Sequence, residues 1–177
     1  MEGRENGNMK NEDAESSESR LRIQLFGAFD VRIDGVPIPP LRTRKVQWLL
    51  ALLVLRHGQA LDRAWLAGTL WPESAPSQAL YNLRQGLSNL RHALGETFLS
   101  SHVSVVNALS LDVSHANIDV LAFDASIAAG DSAALERAAA LYRGPLLEGC
   151  AEEWIFSERR VREENYLNAL ESLAAGA

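Results

Sequence analysis

Between Ser77 and Gly95 the chain reads SQALYNLRQGLSNLRHALG, with leucines at Leu80, Leu83, Leu87, Leu90 and Leu94. Spacings of three, four, three and four put all five on one stripe of an α-helix, and a leucine stripe has to be buried against other elements. Any fold that holds this helix must supply a core on one side of it and leave the other side to water or to a partner. At about 100° per residue, the side away from the leucines carries Gln78, Tyr81, Gln85, Ser88 and His92. Asn82 and Asn89 flank it on one edge, Arg84 and Arg91 on the other. A merely solvated face is richer in Glu and Lys, whereas amides, hydroxyls and guanidiniums read base edges and hold phosphates.

The neighbouring sequence supplies the core. Leu21–Leu25 and Phe29–Ile33 alternate as strands do, and Asp34-Gly35 is a tight-turn dipeptide leading into VPIPP. Thr43 is placed to cap a largely apolar helix running to about Arg56, with His57-Gly58 as its stop. Asp62 caps a second helix, Arg63–Trp71, ended by Pro72, and Ser74 or Ser77 is placed to cap the third. Val103–Val106 and Leu109–Val113 around Asn107-Ala108 read as a closing hairpin. The expected class is α+β: antiparallel strands, three helices and a hairpin wing, the order of a winged helix-turn-helix over residues 21–113. Beyond it, Asn117–Ala129, Asp131–Tyr142 and Glu152–Ala174 read as helices, so residues 114–177 form an all-α segment. Residues 1–20 have no periodic apolar positions and read as a disordered acidic tail.

Charge follows the same division. The net charge of −6 conceals a central block, residues 21–113, with nine Lys/Arg against six Asp/Glu, a charge of +3. Residues 1–20 carry −3 and residues 114–177 carry −6. A basic block between acidic ends fits a nucleic-acid module joined to something else. The longest apolar run, VQWLLALLVL, is too short to span a bilayer, and no signal peptide opens the chain. A soluble, cytoplasmic protein without membrane contact is expected.

Catalytic and metal chemistry have little to stand on. His57, His92, His102 and His115 do not recur with ligand spacing, no phosphate-cradling glycine loop is present, and Cys150 lacks a neighbouring histidine. No enzyme activity, cofactor or metal is expected. Trp48, Trp65, Trp71 and Trp154 read as core anchors. The pairs Glu158–Arg162, Arg159–Glu163 and Arg160–Glu164 read as a solvated helix face.

LRIQLFGAFDVRIDG, LRTRKVQWLLALLVLRHGQALDR, LAGTLWPESAPSQALYNLRQGLSNLRHALG, LYRGPLLEG and EEWIFSERR together resemble the regulators related to the Streptomyces antibiotic regulatory proteins, over residues 21–177. The resemblance implies a response-regulator-type winged helix followed by the start of a tetratricopeptide-like bacterial transcriptional activator domain. It also implies transcriptional activation through promoter DNA, with contact to RNA polymerase. It maps the DNA-facing helix onto Ser77–Leu94 and a basic phosphate-binding segment onto Arg42, Arg44 and Lys45. The chain departs from the family pattern at Asn89 and His92, where arginine is frequent, at Gly86 in mid-helix, and in a wing without Lys or Arg. Its helical segment is shorter than the family's, so the repeat stack is expected to be incomplete and to favour self-association around Val161, Leu167 and Leu170.

The functional expectation is a DNA-binding transcriptional regulator that reads double-stranded DNA in the major groove. Gln85, Ser88 and Asn89 meet bases; Tyr81, Arg84, Arg91 and His92, with Gln78 beside them, position the helix; Arg42, Arg44 and Lys45 bind phosphate. The alternative is an interaction module whose winged helix has lost DNA binding and shows the same face to a protein.

Overall fold

In β1, Leu21–Gln24, Leu21 and Ile23 are buried while Arg22 faces solvent, so the alternation in the sequence is the alternation of faces. The computed structural model describes residues 21–95, 103–105, 108–111, 113 and 115–176. The tail expected over residues 1–20, and the turn of the closing hairpin, lie outside the described residues.

β1 pairs antiparallel with β2, Asp30–Ile33, which pairs with the short β3, Val36–Pro37. Asp34 and Gly35 both take positive φ, 50° and 78°, the conformation that a two-residue turn between twisted strands requires. Three helices follow: α1, Arg44–Leu55; α2, Arg63–Leu70; and α3, Pro76–Leu94. Asp62 caps α2 as expected, its carboxylate accepting the Trp65 N–H at 2.8 Å. Neither Ser74 nor Ser77 caps α3. The helix starts at Pro76 after Ala75, because proline presets the helical φ and has no N–H to be left unpaired.

The expected leucine stripe holds at four of its five positions and fails at Leu80. Ala79, Leu83, Gly86, Leu87, Leu90 and Leu94 are buried, and Leu80 lies on the exposed side. Gly86 explains itself here. A Cβ on it would come within 3.2 Å of the Leu49 Cδ2 on α1, so the missing side chain is what lets α1 and α3 pack closely. α1 is buried almost all round from Leu49 to Val54 and is the centre of the core. Trp48, Trp71 and Trp154 pack against that core; Trp65 does not, being exposed on the first turn of α2.

A second sheet orders as β4-β6-β5: β5, Val103–Val105, and β6, Ala108–Leu111, form the expected antiparallel hairpin. β6 also pairs with β4, Leu61–Asp62, two residues that lacked the length to read as a strand.

The later residues depart from expectation in their first element. Ala116–Ile118 is not the start of a helix but a strand, β7, which runs parallel to β1 with Ile23 opposite Ile118. The segment is therefore not all-α: three helices follow β7, α4 at Asp119–Ala129, α5 at Ser132–Leu141 and α6 at Glu153–Ala175. β7 completes a four-stranded sheet of order β3-β2-β1-β7, so both halves of the chain share a sheet. Asp119, at the first turn of α4, accepts N–H bonds from Leu25 and Phe26 at the end of β1, and from Val120. Burial pushes its carboxyl up from the ordinary value, against the pull of those three amides.

The RGPLLEG segment docks on the same place. Gly27 N–H donates to Pro145 O at 2.9 Å and Leu147 N–H to Leu25 O at 2.8 Å. Gly27 and Gly144 lie against each other so closely that a Cβ on Gly144 would meet Gly27 Cα at 3.2 Å. Phe26 packs edge-on to Phe123 at 5.1 Å and beside Tyr142 at 5.0 Å, and Tyr142 stacks on Tyr166 of α6 at 4.2 Å.

Candidate nucleic-acid interface

α3 is built to keep one face free. Its underside is committed to α1 and α2, and its 19 residues include no Asp or Glu. Gln78, Tyr81, Arg84, Gln85, Ser88, Arg91 and His92 are all exposed, whereas Asn82 and Asn89 are half-buried at the edge facing α1. Among the described residues, Tyr81, Arg84, Gln85, Ser88, Arg91 and His92 make no side-chain hydrogen bond, and Gln78 bonds only to Asn82, at 3.0 Å. The face is a row of donors and acceptors left to solvent.

Asn89 has a different duty from the one the sequence assigned. Its Oδ1 accepts the backbone N–H of Arg42 at 2.9 Å, which fixes the lead-in to α1 beside α3. Arg42, Trp71, Asn82, Gln85, Gly86 and Asn89 line a cleft of about 170 Å³ along that junction. Arg42 and Arg44 are exposed there, at the end of α1 whose unpaired backbone N–H groups carry a partial positive charge.

Lys45 does not join them. Its ammonium pairs with the Glu152 carboxylate at 2.7 Å and lies 5.4 Å from the Trp48 ring, so the third expected phosphate contact is already neutralised from within the chain. At the other end of α1, Arg56 reaches Glu158 of α6 at 2.6 Å. Glu158 in turn pairs with Arg162 at 2.7 Å, and Arg162 holds Asp124 of α4 through two bonds, at 2.6 and 3.1 Å. The pair Glu158–Arg162, expected on a solvated face, is thus a buried relay, with Arg162 only 9% exposed. Arg159 donates to the Leu146 and Leu147 carbonyls, not to Glu163. Burial works to raise the Glu158 carboxyl, but the hydrogen bonds from Arg162 and Arg56 outweigh it and hold it below the ordinary value.

Among the described residues, no group of three or more His, Cys, Asp or Glu could hold a metal, and no helix is long and apolar enough to cross a membrane. Cys150 is buried, and burial raises its thiol pKa.

No family model matches the chain. The transcriptional regulatory proteins EmbR of Mycobacterium tuberculosis and Mycobacterium bovis are 31% identical to it over 145 residues, 74% of this chain and 37% of theirs. The solved structure of Mycobacterium tuberculosis EmbR in complex with a low affinity phosphopeptide covers 89% of this chain, with a TM-score of 0.74 and 26% identity. The chain is homologous to EmbR. It spans 45% of the solved EmbR chain and little more than a third of the curated relatives. The mixed α and β architecture described above is that of the matched part of EmbR.

The structure sets the lead-in to α1 beside α3, pairs Lys45 with Glu152 and ties Asn89 to the Arg42 backbone. Neither pairing had a local signal. Glu152 lies 107 residues from Lys45, and Asn89 is 47 residues from Arg42.

Proposed function

We propose that the chain is the DNA-binding part of a transcriptional regulator. In this reading α1 to α3 with the β5–β6 hairpin are a winged helix, and α3 lies in the major groove with the hairpin beside the backbone. Gln85 and Ser88 meet base edges, Gln85 preferring adenine through a bidentate amide pair. Gln78, Tyr81, Arg84, Arg91 and His92 border them and set the helix in place, and Arg42 and Arg44 hold phosphates. Asn89 acts through the Arg42 backbone that it tethers, as a positioning residue. The helices after β7 are the beginning of a tetratricopeptide-like activator segment, facing RNA polymerase in the cytoplasm, and the chain works by binding, not catalysis.

One observation carries the reading: an acid-free helix face of seven exposed hydrogen-bonding side chains, with Arg42 fastened beside it by Asn89. Homology to a transcriptional regulatory protein supports it.

Selection of bound duplexes from random double-stranded DNA tests it, followed by competition binding with variants. Gln85→Ala is expected to cost about 1–3 kcal/mol at one base pair and relax preference there. Arg44→Ala is expected to weaken every sequence alike and to lower the salt slope by about one. A chain that enriches no sequence and binds no duplex at low salt refutes the assignment.

A further inference from the structure

The three basic residues at the start of α1 are not in the same state. Arg42 and Arg44 have no acidic partner among the described residues, whereas the Lys45 ammonium meets a Glu152 carboxylate oxygen at 2.7 Å. Glu152 comes from the other half of the chain, at the N-cap position of α6, and its backbone is anchored on both sides. Before it, Cys150 is buried and the Leu147 N–H donates to Leu25 O; after it, Trp154 packs on the core and Ile155 is buried. At the far end of α1, Arg56 pairs with Glu158 at 2.6 Å, so α6 is fastened along α1 at two places. Tertiary structure therefore delivers this carboxylate to Lys45. It is the more enclosed partner, its side chain 18% exposed against 29% for the lysine.

A lysine carries one compact charge on a flexible four-carbon stem, and it changes partners without giving up a bidentate geometry. A DNA phosphate and the Glu152 carboxylate make the same demand of it, one anionic oxygen at hydrogen-bond distance. One ammonium held by the enclosed carboxylate is not available to the phosphate. Yet Lys45 follows exposed Arg44 in the first turn of α1, beside the cleft that Arg42, Thr43 and Val46 form with Gln85 of α3. We propose, resting on the DNA-binding reading above, that Glu152 is an internal phosphate mimic. By holding Lys45 it keeps one phosphate contact out of the DNA interface, and the helical segment thereby sets how tightly the winged helix grips DNA. The coupling is reciprocal: a duplex that takes Lys45 leaves Glu152 unpaired and partly enclosed, so DNA loosens the contact between α1 and the start of α6 by the same free energy.

The salt dependence of random-duplex binding by the 177-residue chain tests the proposal, since each neutralised phosphate adds about 0.9 to the slope of log affinity against log salt. Glu152→Gln is expected to steepen the slope by about that amount and to bind more tightly than the parent at low salt. Its advantage should shrink about 3.5-fold for a fourfold rise in salt. The amide is isosteric and the position partly exposed, so the thermal midpoint should stay near that of the parent. Glu153→Gln removes the same charge from the exposed neighbour and should leave the slope unchanged, which separates the specific pair from a general loss of acidity. Lys45→Ala should change the parent slope little but abolish the gain in the Glu152→Gln background. A Glu152→Gln chain with the parent's slope overturns the proposal and leaves the DNA reading standing. So does a gain that Glu153→Gln reproduces or Lys45→Ala fails to remove, or a parent slope that falls by about one on Lys45→Ala, because Lys45 would then already sit on phosphate. Absence of duplex binding in every form overturns both readings, and binding by Glu152→Gln where the parent shows none supports both.

Discussion

α3 and α6 are the two longest helices and invert one another. α3 buries Leu83, Leu87 and Leu90 and shows water its amides, hydroxyls and arginines. α6 buries Arg162 and half-buries Glu158 and Arg159, while Phe156, Leu167 and Leu170 stand in solvent. The inner face of α3 is decided by the hydrophobic effect, which needs no particular partner, only area removed from water. That of α6 adds to the apolar contacts of Ile155, Tyr166 and Ala169 a set of ion pairs, which need named partners at hydrogen-bond distance, because a buried guanidinium without them is prohibitively expensive. Periodicity alone therefore locates the inner face of α3 and misreads that of α6.

The contrast can be broken most forcefully by truncation on each inner face. Leu87→Ala removes a buried side chain from the core face of α3 and should destabilise by about 3 kcal/mol. Arg162→Ala should cost about 2–3 kcal/mol by a different route, stranding Glu158 and Asp124, with part of the loss relieved because Asp124 is partly exposed. Urea unfolding measures both. An Arg162→Ala loss under half a kcal/mol would mean that the relay is solvated after all.

Gly86→Ala sharpens the comparison within α3. On an open helix the change stabilises by about 1 kcal/mol, but here the new methyl meets Leu49 in a full core. The expected outcome is a net destabilisation of about 1 kcal/mol in the same unfolding assay, and a stabilised variant would show that α1 yields easily.

Acid titration separates the helices again. The folded Glu158 carboxyl lies below its ordinary value near 4.5, so its contribution is complete above that value and is lost as pH falls through the lowered one. Glu158→Gln should flatten the stability profile in that acidic window, measured as unfolding midpoints between neutral and acidic pH. An unchanged slope would remove Glu158 from the relay. The smallest effect belongs to the outer face of α3, where Gln85→Ala should alter stability by no more than about 0.5 kcal/mol while changing DNA preference. A larger loss would show that Gln85 supports the cleft beside Trp71 and is not free to meet bases.

By itself the sequence determined the local elements and the polarity of their faces. Alternation marked β1 and β2, Asp34-Gly35 marked their turn, Asp62 and Asp131 marked the starts of α2 and α5, and the leucine repeat marked the inner side of α3 at four of its five positions. These are short-range matters, set by steric preference, capping and periodicity over a few residues. The polar face of α3 was legible for the same reason. Tertiary structure alone decided which charges are available. It took Lys45 away through Glu152, turned Asn89 to the Arg42 backbone, buried Arg162 between Glu158 and Asp124, and made a strand of Ala116–Ile118 because β1 had an open edge beside it. Ion pairs and strand pairings depend on which groups meet after the chain closes loops of tens of residues, and nothing in the local pattern at either end records the meeting.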